Sequence, residues 1–78
     1  MEKINLRDIR KILQETFPKS KVPENIENLK INDLSDWDSL GNFNLLLAIE
    51  ARYSFKFTLD EISKIKSIPQ ILSILKKR

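Results

Sequence analysis

Residues 36–53 read DWDSLGNFNLLLAIEARY, the longest run of the chain in which apolar residues recur at helical spacing. Residues 36–38 are typical of a loop, and the helical pattern begins at Ser39. We therefore predict a helix from Ser39 to Tyr53. Serine is preferred at helix starts because its hydroxyl oxygen accepts a hydrogen bond from an otherwise unpaired backbone N–H group. Ser39 is therefore either a helix cap or a hydroxyl group with a function of its own.

The composition leaves few groups that can carry out chemistry. The chain has 78 residues and contains neither histidine nor cysteine, so the usual general base, the thiolate nucleophile and most transition-metal ligands are missing. A chain of this length buries only about 60% of the surface that its unfolded form exposes, which supports one small core. We therefore predict a single domain over residues 1–78, without a metal site, that acts as a carrier, adaptor or binding module and not as an enzyme.

Charge is distributed unevenly along the chain. The formal net charge is +3, made up of +2 in residues 1–30, −3 in residues 31–60 and +4 in residues 61–78. A nucleic-acid-binding protein more naturally carries its basic residues on the recognition element, so we expect no nucleic-acid partner. The chain has no signal-peptide pattern and no apolar run of membrane-spanning length. We expect a monomeric, cytoplasmic protein with no membrane insertion.

The segments on either side of residues 36–53 predict three more helices. Apolar residues at helical spacing indicate a first helix over about residues 3–16, with Asn5 as its cap and Pro18 just beyond its end. A connection over residues 18–38 follows, and its scattered apolar residues predict that it is pinned onto the core. So long a connection is unusual in a small domain.

Two capping boxes mark the remaining helices. Thr58 stands three residues before Glu61 and begins a short third helix that ends near Lys66. Ser67 stands three residues before Gln70 and begins the last helix. No segment shows the alternation of a strand. The predicted fold class is all-α, a four-helix bundle of three longer helices and one short helix, with the long loop between helices one and two.

The predicted helix from Ser39 has two apolar faces. On a helical wheel of 100° per residue, the face that predicts the core contains Leu45, Leu46, Ile49 and Tyr53. The second face lies more than about 90° away on that wheel and contains Leu40, Phe43 and Leu47. Two apolar faces on one helix of a small protein indicate either near-complete burial or a surface that contacts a partner.

The sequence around the predicted helix start resembles the acyl carrier protein family. Residues 38–40 (Asp-Ser-Leu) are followed by residues 45–50 (LLLAIE), and the likeness extends over about residues 29–75 with the helices in the same order. The resemblance implies the family's type of four-helix bundle. It also implies that a phosphopantetheinyl transferase attaches 4′-phosphopantetheine from coenzyme A to Ser39, and that Asp38 assists the modification.

The resemblance implies a carrier that is modified by an enzyme and is not itself catalytic. The thiol of the attached arm holds acyl intermediates as thioesters, and the carrier delivers them to acyl-loading and acyl-processing enzymes, as in fatty acid or polyketide biosynthesis. Members of the family dock on their partners through the helix that follows the serine. The partner-binding residues that the resemblance implies are Leu40, Phe43, Leu47 and Glu50.

This helix departs from the family in its charge. Family members usually carry several carboxylates here, in stretches that this chain fills with Asn42, Asn44, Ala51 and Arg52. Glu50 is the one acid between Ser39 and Tyr53. Because electrostatic complementarity sets partner choice, we expect a dedicated carrier with its own partners and not the general carrier of primary fatty-acid synthesis.

Two alternatives stay open. The cargo of the carrier can be an aminoacyl or D-alanyl group instead of an acyl group. A protein of a different class is a small basic module that binds nucleic acid or an acidic protein through Lys64, Lys66, Lys76, Lys77 and Arg78. The same charges also suit a solvated face and a helix C-terminus. A steep loss of DNA affinity with added salt would favour the basic module.

Overall fold

A computed structural model describes residues 4–77, and over these residues the chain forms four helices: α1 (Leu6–Thr16), α2 (Ser39–Tyr53), α3 (Leu59–Lys64) and α4 (Ile68–Lys77). Residues 4–77 contain no strand, and a single isolated bridge of β type joins Lys30 to Ser67. The predicted all-α class and the order of the helices are confirmed. The bounds of α2 are as predicted, whereas α1 begins at Leu6 and residue 3 lies outside the described residues.

Asn5 and Thr58 begin helices as the sequence predicts. The Asn5 side-chain oxygen accepts a hydrogen bond of 2.8 Å from the backbone N–H three residues later. At α3 the Thr58 hydroxyl oxygen accepts from the Glu61 N–H at 3.1 Å, and the Glu61 carboxylate accepts from the Thr58 N–H at 2.8 Å. α3 ends at Lys64, earlier than predicted, because Ile65 adopts an extended backbone conformation and its side chain is buried.

The second predicted capping box is present in an altered form at the start of α4. The Ser67 hydroxyl oxygen accepts a hydrogen bond from the Gln70 N–H at 3.3 Å, as expected. The Gln70 side-chain oxygen accepts from the Lys66 N–H at 2.7 Å and from the Ser67 hydroxyl at 3.1 Å. In a standard box it would accept from the backbone N–H of the cap residue itself. The glutamine therefore reaches one residue further back and ties the α3–α4 link to α4.

The core is one cluster that draws on the helices and on the segments between them. α1 packs against α2, and the predicted core residues Leu45, Leu46 and Ile49 are buried. Tyr53, predicted to lie in the core as well, is half-buried at the end of α2. α3 contains no buried residue, so the segments beside it supply that part of the core. The other buried apolar residues are Ile9, Ile12, Leu13, Phe17, Val22, Ile26, Leu34, Trp37, Phe57, Ile65, Ile68, Ile71 and Leu75.

The long loop over residues 18–38 is pinned onto the core, as predicted. Four of its apolar side chains are buried, namely Val22, Ile26, Leu34 and Trp37. The Arg10 guanidinium group in α1 donates hydrogen bonds to the Val22 and Pro23 carbonyl oxygens at 3.0 and 2.7 Å. The loop is also bonded to the α3–α4 link, where the Ile31 N–H donates to the Lys66 carbonyl oxygen at 2.7 Å. Its length therefore has a structural reason.

A tight turn brings this loop to the start of α2. The Lys30 backbone N–H donates to the Asp33 carboxylate at 2.9 Å and the Lys30 ammonium group bonds to it at 3.1 Å, and these two hydrogen bonds lower the pKa of Asp33. Asn32 lies in the left-handed region with φ 77°, which asparagine tolerates better than most residues. Its N–H donates to the Trp37 carbonyl oxygen at 2.7 Å, so the backbone just before Ser39 is fixed by local hydrogen bonds.

Candidate functional site

Ser39 is the first residue of α2, and it is exposed. The cap of this helix is Asp38, whose Oδ1 accepts a hydrogen bond of 2.8 Å from the Gly41 N–H. The interpretation of Ser39 as the helix cap is therefore wrong. Among residues 4–77 the Ser39 hydroxyl group has no hydrogen-bond partner. It remains available to a reagent or an enzyme that approaches from solvent.

Asp38 has a structural use in addition to any role in modification. Its carboxylate lies at the N-terminus of α2, where the unpaired N–H groups and the helix dipole favour a negative charge. The cap engages Oδ1, and the side chain as a whole is exposed. The other carboxylate oxygen, Oδ2, has no hydrogen-bond partner among residues 4–77. The assistance of Asp38 in modification stays a prediction.

Gly41 allows the first turn of α2 to lie directly against the preceding loop. A Cβ atom at this position would clash with the Asp36 carbonyl oxygen and would lie 2.9 Å from the Phe17 ring. Backbone atoms cannot yield in the way that the end of a long side chain can, so alanine requires the helix start to shift. The glycine thus brings the turn that carries Ser39 into contact with the loop and with the end of α1.

Two buried polar side chains bracket Ser39. The Trp37 indole Nε1–H donates to the Asn42 side-chain oxygen at 2.9 Å, and the Asn42 side-chain nitrogen donates to the Ile65 carbonyl oxygen at 2.7 Å. Trp37 is fully buried and stacks on Phe17, with the ring centroids 6.0 Å apart. Asn42 is 6% exposed. We call this chain of two hydrogen bonds, from Trp37 through Asn42 to the Ile65 carbonyl, the clasp.

The clasp corrects the sequence interpretation of Asn42. Asn42 occupies a stretch that often carries acids in the family that the sequence resembles, but its side chain is buried and bonds to Trp37 and to the Ile65 carbonyl oxygen. On the helical wheel Asn42 falls between Ile49 and Leu46, both of which are buried. A polar residue on the core side of the wheel was therefore the available signal. The identity of its partners, Trp37 and Ile65, could not be derived from that wheel.

The second apolar face of α2 is exposed, so near-complete burial of this helix is excluded. Leu40 is 69% exposed, Phe43 is 44% exposed and Leu47 is 43% exposed. At the start of α3, Leu59 is 86% exposed and adds another large apolar side chain to the surface. Scattered exposed apolar residues are ordinary, but three on one helix face beside an exposed serine are the kind of patch that contacts a partner. That role in partner binding stays a prediction.

Glu50, the fourth predicted partner-binding residue, takes part in the fold. It is half-buried, and its carboxylate accepts a hydrogen bond of 2.7 Å from the Phe57 N–H. The other acids that follow Ser39 are engaged as well: Asp60 pairs with Lys64 at 3.2 Å, and Glu61 belongs to the α3 capping box. Within residues 40–77 each side-chain carboxylate therefore has an intramolecular partner. The exposed face of α2 presents apolar groups and no uncommitted acid.

The basic residues of the alternative binding module lie in different settings, as far as the structure describes them. Lys64 is paired with Asp60 across one turn of α3. Lys76 and Lys77 lie in the last turn of α4, where positive charge is favourable to the helix dipole. Lys66 is exposed in the α3–α4 link. Arg78, the fifth residue of this set, lies outside the described residues.

An open groove of about 350 Å³ borders the serine segment. Its walls come from the end of α1 and the first turns of α2, with Phe17 and Leu40 as apolar contributors. Lys19 and Asp36 contribute charges of opposite sign to its lining, and Asn44 contributes an amide. Both chain neighbours of Ser39 line the groove, so a group attached to the serine begins next to it.

No family model matches the chain, and neither the curated proteins nor the solved structures contain a significant match. The functional assignment therefore depends on the residues of this chain. None of the helices within residues 4–77 has the length and the apolar character needed to cross a membrane. The same residues hold no group of three or more acidic, histidine or cysteine side chains arranged to bind a metal ion.

Proposed function

We propose that this chain is a carrier protein with an acyl-carrier type of four-helix bundle, and that Ser39 receives 4′-phosphopantetheine from coenzyme A. The observation that carries the proposal is that the Ser39 hydroxyl group is exposed and does not cap the helix. Ser39 begins the longest helix, is exposed, and is relieved of the capping role by Asp38. A serine kept only for its local structure would be expected to make the capping bond itself.

The proposed modification is a transfer of a phosphoryl-linked group to the serine hydroxyl. The Ser39 oxygen attacks the phosphorus that bears the pantetheine, a phosphodiester forms, and the phosphoanhydride bond of coenzyme A breaks to release adenosine 3′,5′-bisphosphate. The hydroxyl proton passes to a base of the transferase, which also supplies Mg²⁺. This division of labour suits a chain without histidine. The N–H groups at the start of α2 favour a phosphate next to Ser39.

The attached arm supplies a thiol that holds acyl cargo as a thioester when the carrier is loaded. The residues proposed to contact the transferase and the acyl-loading and acyl-processing enzymes are Leu40, Phe43, Leu47 and Glu50. The three apolar residues are exposed on the same half of α2 as Ser39, so a partner that covers this face also reaches the serine. Because the face lacks uncommitted acids, we propose dedicated partners. The proposal further includes a monomeric carrier in the cytoplasm.

Intact mass after co-expression with a broad-specificity phosphopantetheinyl transferase tests this proposal. The wild type should gain the mass of one phosphopantetheine, and Ser39→Ala should gain none. Ser35→Ala is the matched control, because Ser35 is an exposed serine four residues earlier, and it should be modified like the wild type. A wild type that stays unmodified beside an established carrier that is fully modified would refute the proposal.

A further inference from the structure

The first turn of α2 is closed by Asn42. The Asn42 backbone N–H donates to the Asp38 carbonyl oxygen at 2.8 Å, which is the first hydrogen bond of the i to i−4 type in this helix. Ser39 lies inside the ring that this bond closes. The position of the serine oxygen therefore depends on how firmly the main chain is held at Asp38 and Asn42.

Side-chain contacts hold both ends of that turn. Trp37 is two residues before Ser39 and Asn42 is three residues after it, and their 2.9 Å hydrogen bond joins the two ends across the serine. The second bond of the clasp, 2.7 Å long, ties Asn42 to the Ile65 carbonyl oxygen in the α3–α4 link. Trp37 is fixed in turn by its stacking on Phe17. The turn is thus joined to the end of α1 and to the α3–α4 link.

The buried Asn42 amide lies on an otherwise apolar side of α2 and makes both hydrogen bonds of the clasp. Desolvating the amide is unfavourable unless its hydrogen bonds are made, and removing the amide would leave the Trp37 N–H and the Ile65 carbonyl oxygen without this partner. What these hydrogen bonds add is direction, because each bond has a narrow range of length and angle. The clasp therefore fixes the geometry of the turn in addition to its contribution to stability, and a test must separate the two effects.

We infer that Asn42 and Trp37 are positioning residues that hold the Ser39 turn in the geometry required for attack on coenzyme A. This inference rests on the proposed function of Ser39 and adds two residues to it, neither of which contacts the reacting atoms. Misplacement of a reacting group by about 1 Å can slow a reaction about 100-fold. Loosening of the clasp should therefore lower the rate of the chemical step and leave docking on the exposed face of α2 intact.

Steady-state kinetics of transfer, with the carrier variants as substrates and coenzyme A saturating, test the inference. Trp37→Phe keeps the aromatic stack and removes the Nε1–H donor, and Asn42→Leu removes the whole amide. Each should lower kcat about ten-fold, since a partial loosening displaces the serine by less than 1 Å, with KM changed by less than about two-fold. The control is Ile71→Val or Ile71→Ala in α4, whichever matches the clasp variants in melting temperature. The control should keep the wild-type kcat, and equal kcat for all variants would overturn the inference.

Hydrogen exchange of the backbone amides separates failure of this inference from failure of the proposed function. The Gly41 and Asn42 N–H groups bond to Asp38 in the turn that the clasp holds. In Trp37→Phe these two amides should exchange about ten-fold faster, whereas the amides of Leu46 and Ile49 should match those of the Ile71 control. If the wild type is not modified at all, the proposed function falls. Unchanged exchange at Gly41 and Asn42 would refute the inference that the clasp holds the turn, whether or not the wild type is modified.

Discussion

The two faces of α2 have similar apolar composition and opposite surroundings. Leu45, Leu46 and Ile49 are buried against the rest of the bundle, whereas Leu40, Phe43 and Leu47 remain exposed. Hydrophobicity alone therefore does not decide which side of this helix enters the core. α1 packs against α2, and within residues 4–77 no other element buries the second face of that helix.

The exceptions to simple burial lie close to Ser39. Leu40, directly after the serine, is the most exposed of the three apolar residues on its face, and Asn42 is a polar residue enclosed in the core. Natural sequences depart from the consistent patterning of polar and apolar residues mostly at functional sites, where function requires such an exception. The buried face of α2 therefore contributes to stability, and the exposed face is the one for which we predict a role in recognition.

A matched pair of leucine truncations should show the largest difference between the faces. Leu45→Ala removes a buried side chain and leaves a cavity, so it should lower the free energy of unfolding by about 2–5 kcal/mol. Leu47→Ala on the exposed face should change it by about 0.5 kcal/mol or less. Urea unfolding followed by far-ultraviolet circular dichroism measures both. Equal losses would mean that the second face is packed and is not a docking surface.

Gly41→Ala should disturb the junction between the faces. The added methyl group meets the Asp36 carbonyl oxygen and the Phe17 ring, which should cost about 1–3 kcal/mol despite the better helix propensity of alanine. Asn44→Ala, at an exposed position one turn further along α2, is the control and should be neutral or slightly stabilising. Melting temperatures compare the two variants. A Gly41→Ala protein as stable as wild type would show that the turn is not held against the loop.

Leu47→Asp tests recognition without testing the core. A charge in the centre of a docking patch should raise KM for the transferase about ten-fold, equivalent to about 1.4 kcal/mol of binding, and leave kcat unchanged. Gln14→Asp places the same charge on an exposed position of α1 and should leave both constants unchanged. If Leu47→Asp unfolds the domain, or if KM stays at the wild-type value, the face is not used in docking.

Salt should have the smallest effect on recognition. The side-chain carboxylates in residues 40–77 all have intramolecular partners, so the proposed docking face offers little charge for salt to screen. The KM of transfer should change by less than about two-fold between about 50 and about 500 mM NaCl. An established acidic carrier in the same assay provides the reference and should lose affinity. A salt dependence as steep as that of the acidic carrier would contradict the apolar docking face.

Local signals in the sequence were sufficient for most of the fold. The bounds of α2, the caps at Asn5 and Thr58 and the pinned loop follow from periodicity and short-range hydrogen bonding, which a linear sequence displays directly. The exposure of the second face of α2 could not be decided in the same way. It depends on how many elements pack around the helix, which is a property of the whole chain.

The candidate site was predicted only in part, for the same reason. Ser39 and Asp38 stand side by side in the sequence, and their place at the start of α2 was predictable from helix chemistry. Which of the two residues caps the helix was not predictable. Serine and aspartate are both good caps, and the choice depends on which side chain reaches the Gly41 N–H. The clasp joins Asn42 to Ile65, 23 residues further along the chain, and no local sequence pattern predicts such a contact.

Localisation of the modified residue tests the central claim most directly. Trypsin cleavage after Lys30 and Arg52 releases residues 31–52, a peptide that contains Ser35 and Ser39 and therefore carries its own comparison. After reaction with coenzyme A and a phosphopantetheinyl transferase, fragmentation mass spectrometry should place one phosphopantetheine on Ser39 and none on Ser35. A peptide that remains unmodified while an established carrier is labelled, or a group found on Ser35, would contradict the account.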